Sequence, residues 1–82
     1  MSETGHDLHS LFPGQGPALH ALKLQDAHFR TLAEQHHDVT LEIQRIEDGL
    51  VAASDQRVEA LKKQRLQLLD EVAALVAAHE AA

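Results

Sequence analysis

Cysteine, tryptophan and tyrosine are absent from these 82 residues, and two phenylalanines are the whole aromatic supply. Without cysteine there is no disulfide scaffold, no thiolate nucleophile and no Cys-ligated zinc. The apolar residues are mostly small or unbranched at Cβ, with 13 alanines and 13 leucines among them. Sandwiches and barrels draw on β-branched and aromatic residues, so this composition points to slender helical packing. The chain allows one thin domain, burying only ~60% of the surface it exposes when unfolded.

Basic residues are also few, with seven Lys and Arg against thirteen Asp and Glu for a formal charge of −6 with histidine neutral. Such a chain is repelled by a phosphate backbone, which disfavours nucleic acid as a partner. The one basic cluster, Lys62, Lys63 and Arg65, has no aromatic for stacking and lies among Glu59, Asp70 and Glu71. It reads as a solvated helix face with an i,i+4 pair between Glu59 and Lys63. Long hydrophobic runs are missing too. The longest, Val72 to Ala78, is far below the ~20 residues of a membrane span. The opening Met1-Ser2-Glu3-Thr4-Gly5-His6-Asp7 lacks the apolar segment of a signal peptide. The expectation is a soluble cytoplasmic protein with no membrane or nucleic-acid partner.

What is present is periodicity. Residues 1–17 read as a flexible lead-in broken by Pro13-Gly14-Gln15-Gly16-Pro17, a run that disfavours helix. Pro17 suits the start of a short helix over about 18–24, with Leu19 and Leu22 on one side. Asp26 is a candidate N-cap for a helix over about 26–48. Beyond it Phe29, Leu32, His36, Val39, Ile43, Ile46 and Leu50 recur at the alternating three and four of an a/d seam. Gly49 is placed to end it. Ser54 and Asp55 then start a helix over about 55–79, which repeats the register at Val58, Leu61, Arg65, Leu68, Val72, Leu75 and His79. Residues 80–82 read as a tail.

Two seams joined by a tight linker must run antiparallel. The fold class expected is therefore all-α, an antiparallel two-helix, coiled-coil-like hairpin preceded by a short N-terminal helix. Facing positions sum to about 103 in such a register. That pairs Phe29 with Leu75, Leu32 with Val72, His36 with Leu68, Val39 with Arg65, Ile43 with Leu61, and Ile46 with Val58. A second stripe, Leu66, Leu69, Ala73 and Val76, flanks the first, and one partner helix cannot cover both. Either Leu19 and Leu22 fold over it, or a second chain does. A single core below about 70–80 residues rarely yields more than ~3–5 kcal/mol, which favours a homo-oligomer or a helical protein partner.

With this register in view, the sequence resembles the YdcH-like family of small bacterial proteins, a domain of unknown function. The resemblance covers roughly residues 11–76. It is carried by Leu11-Phe12-Pro13, Lys23 with His28-Phe29, the series Leu32, His36, Val39 and Ile43 to Glu47, and above all Leu61-Lys62-Lys63-Gln64-Arg65-Leu66-Gln67-Leu68-Leu69-Asp70-Glu71-Val72. It implies a short helix followed by a helical hairpin, with no enzyme activity and no settled function. Gly14-Gln15-Gly16-Pro17 departs from the charged segment usual after Phe-Pro in that family. Leu69 stands where lysine is common, which widens the apolar face.

Chemistry-bearing constellations are sparse. Of seven histidines, only His6 and His9 have the spacing of two ligands on one helical face, and no third ligand converges. His36 and His37 are neighbours pointing ~100° apart. His36 falls in the seam, as a structural polar residue or an acid sensor, and Arg65 falls there too, its stem packed and its head reaching toward solvent or toward Glu42 or Asp38. The expectation is a non-enzymatic module with no cofactor, acting by self-association or protein–protein contact through Leu19, Leu22, Leu66, Leu69, Ala73 and Val76. The alternative is histidine-based metal or ligand binding, with His36 or His79 of several chains meeting, or pH sensing.

Overall fold

The computed structural model describes residues 8–81, and among them there are four helices and no strand. They are α1 (Leu8–Leu11), α2 (Gly16–Gln25), α3 (Ala27–Glu47) and α4 (Asp55–Ala81). The protein is all-α. Its extents are 44 × 25 × 18 Å, and the long dimension matches the ~40 Å of a 27-residue helix such as α4 at 1.5 Å per residue.

Each boundary has a local cause. Asp26 serves two helices at once, with φ −125° and ψ 108°. Its backbone N–H donates to the Leu22 carbonyl at 2.8 Å, closing α2. Its side chain accepts from the Phe29 N–H at 3.1 Å, opening α3. One extended residue thus turns the chain between two helices, and Arg30 Nη1 clasps the turn by donating to the Lys23 carbonyl at 2.8 Å. At the far end of α3, Gly49 takes φ 79°. The Leu50 N–H reaches the Arg45 carbonyl at 2.9 Å and the Gly49 N–H the Ile46 carbonyl at 3.1 Å, the paired bonds of a Schellman stop. Ser54 Oγ accepts from the Arg57 N–H at 3.1 Å and starts α4.

The two long helices lie side by side in opposite directions. His28 on α3 meets Glu71 on α4 at 3.9 Å, whereas Glu42, further along α3, meets Arg57, earlier in α4, at 2.8 Å. Between them are buried Phe29, Leu32, Val39 and Ile43 from α3, and Leu61, Leu68 and Val72 from α4. Val72 is wholly enclosed at 0% exposure. α2 packs on both long helices and adds Ala18, Leu19 and Leu22 to the same cluster.

Several expectations are corrected. Residues 1–17 are not a lead-in throughout: Leu8–Leu11 is helical, and α2 already begins at Gly16. Leu8 and Phe12 pack against the core, which gives this short turn the surface an isolated helix lacks. Residues 80 and 81 continue α4 rather than forming a tail. The layer at the top of the hairpin is shared differently. Leu75 is only half-buried, whereas Val76 is buried at 1% exposure, because α2 closes on that side of α4. Ile46 and Val58, beside the linker that joins α3 to α4, are half-buried.

Candidate interaction surface

The second stripe on α4 is divided by α2. Val76 joins Leu19 and Leu22 in the core, so these three expected surface residues face inward. The physical reason is reach, since α2 is only ten residues long and can enclose one end of the α3–α4 pair. Toward the middle of α4, Leu69 is half-buried and Ala73 exposed, and Leu66 stands 60% exposed. A large aliphatic side chain at that exposure, with Ala73 seven residues on, marks the face that no intramolecular helix covers.

The surroundings of that face are charged on both sides. Lys62 lies 3.8 Å from Glu47. Glu59 and Lys63 form no ion pair within the helix among the described residues, contrary to the i,i+4 expectation, as solvated side chains gain little from such contacts. Arg65 is half-buried in the seam. The Glu42 carboxylate offered to it by the register is taken by Arg57, whose position about two turns closer to the loop permits a direct 2.8 Å contact.

A second feature was hidden from sequence reasoning. A groove of about 970 Å³ runs along the flank of α3, walled by Leu8, Leu19, Phe29, Ala33 and Leu41, with His9, His20, His36 and His37 on its lining. It exists because α1 and α2 form a wall at one end, which treating residues 1–17 as a lead-in could not supply. The signal was present in Leu8 and Phe12, two apolar residues four apart in a polar stretch. The groove gathers histidines, yet no three of His, Cys, Asp or Glu are disposed to hold a metal ion among the described residues. His6, the partner proposed for His9, lies outside the described residues. His79 is half-buried near the end of α4.

His36 is the buried polar residue of the seam, at 2% exposure. One turn on, Thr40 Oγ1 is buried with no hydrogen-bond partner among the described residues. No described helix is long and apolar enough to cross a membrane.

These features define a small all-α protein whose two long helices and short N-terminal helix share one core. The chain belongs to the family described as Protein of unknown function (DUF465), whose model matches residues 29–76, the YdcH-like small helical proteins. The matched segment takes in most of α3 and α4 and the linker between them, and leaves out α1 and α2. No curated protein and no solved structure matches the chain.

Proposed function

We propose that this protein is a non-enzymatic helical-hairpin module that works by contact with another protein chain through the outer face of α4. The observation that carries this reading is Leu66, 60% exposed beside half-buried Leu69 and exposed Ala73. An aliphatic patch held on a rigid helix is the arrangement by which amphipathic helices meet a partner, and residues 8–81 supply no intramolecular cover for it. A photo-crosslinking amino acid in place of Ala73 tests the reading in the native cell. The expected result is a covalent adduct with a protein chain that Leu66→Glu abolishes. A face that yields no adduct contradicts the reading.

A second reading rests on His36. An imidazole at 2% exposure in the helix seam ties stability to its protonation, so the module would loosen on acidification. Melting temperature followed against pH, with and without His36→Leu, tests it.

A further inference from the structure

α4 is electrically divided along its length. Its first half carries Arg57, Lys62, Lys63 and Arg65 against Asp55 and Glu59, whereas its second half carries Asp70, Glu71 and Glu80 and no Lys or Arg. The uncovered apolar face lies across the boundary between these halves. Leu66, Ala73 and Ala77 fall within about 40° of one another around the helix, and Lys63 and Asp70 lie on one shared flank of that strip, about 20° apart. Lys63 precedes Leu66 by three residues and Asp70 follows it by four. Both are exposed, and neither holds an ion pair or side-chain hydrogen bond among the described residues. Lys62 and Arg57, by contrast, already face Glu47 and Glu42.

We propose that two copies of this chain pair through α4 in antiparallel fashion, with Leu66 beside the two-fold axis and Lys63 of each copy facing Asp70 of the other. The assignment deepens the interaction reading above, on which it rests, by naming the partner as a second copy. Several observations converge on it. A two-fold contact brings the same patch of both copies together, so a residue near the axis meets its own equivalent. Leu66 then covers Leu66. Antiparallel helices place matching flanks on the same side, so an axis just past Leu66 brings Lys63 opposite Asp70 twice. Charges flanking an apolar seam set helix orientation. Parallel pairing would set the basic half on the basic half and the acidic half on the acidic half. Ala73 and Ala77 let the backbones approach, and α2 stands clear, since Ala73 remains exposed beside it.

Sedimentation equilibrium of the full chain at low salt, with helicity followed by circular dichroism, provides the test. The wild type is expected to sediment as a dimer. Leu66→Glu is expected to sediment as one chain with its helicity retained, because the position is exposed and the core does not use it. K63E and D70K are each expected to lose the dimer, since each sets like charges across the axis. Mixed in equal amounts they are expected to recover it, because every carboxylate then faces a cation. A monomeric wild type overturns the proposal, as does a dimer that K63E and D70K leave intact or that their mixture fails to restore. A monomeric chain that still gives the adduct at position 73 with a different protein overturns the pairing and leaves the interaction reading standing. Absence of both dimer and adduct removes both.

Discussion

Gln15 Nε2 donates to Glu80 Oε1 at 2.9 Å, joining residues 65 positions apart in the chain. The bond places the start of α2 beside the end of α4, while Asp26 delivers the other end of α2 to the start of α3. A ten-residue helix is too short to persist in water by itself. Here both of its ends are tethered and its apolar side lies on the two long helices.

The first prediction follows from that position. Leu19 is 3% exposed, so Leu19→Ala leaves a cavity where α2, α3 and α4 share one core. The expected loss is about 2–5 kcal/mol, comparable with the whole stability of a core this size. Thermal unfolding followed by circular dichroism should show the entire transition moving down. A melt in which only a small fraction of the helical signal is lost early, with the main transition unmoved, would show that α2 is not part of the cooperative unit.

Gly49 offers a purely backbone test. At φ 79° an L side chain is strained, yet a Cβ there would meet nothing within 4 Å. Gly49→Ala is therefore expected to destabilise by about 1 kcal/mol, through conformation alone. Chemical denaturation should show a lower midpoint with an unchanged slope.

Thr40 carries a buried hydroxyl with no hydrogen-bond partner among the described residues. Removing such a group while keeping its shape relieves a desolvation penalty of about 1–3 kcal/mol. Thr40→Val preserves both Cβ branching and volume, and is expected to raise the denaturation midpoint. A lowered midpoint would mean that the hydroxyl is satisfied in solution.

His36 is set against Leu68 by the seam register, and the ionisable residues one turn either side of Leu68 on α4 are Arg65 and Glu71. The groove side presents His9 from α1, His20 and Lys23 from α2, and Arg30, Glu34 and His37 from α3 itself. The ring is buried at 2% exposure, and burial penalises its charged form. On burial alone the unfolded chain, with a value near ~6.5, is expected to bind the proton more readily than the folded one. Stability contributed by the neutral ring is present above that value and is lost as pH falls. His36→Leu should raise the melting temperature by about 4–8 °C, the shift that 1 kcal/mol produces in a domain of this size. It should also flatten the pH dependence between roughly 5 and 7. A variant whose pH profile overlays that of the wild type excludes the ring as the responsive group.

The parts of this protein legible in its residues are those with short-range causes. The seam positions Phe29, Leu32, Val39, Ile43, Leu61, Leu68 and Val72 are all buried, because three-and-four spacing puts them on one side of a helix whatever lies beyond it. Asp26, Gly49 and Ser54 act within five residues of themselves, through hydrogen bonds the chain makes locally. What the tertiary structure alone decided concerns cover: Val76 rather than Leu75 is fully enclosed, Leu8–Leu11 is a helix with a surface to rest on, Arg57 rather than Arg65 holds Glu42, and Leu66 is left outside. Each of these outcomes depends on where a distant segment comes to lie. Periodicity states which side of a helix is apolar, but the energy of burial is settled by the neighbour that arrives there.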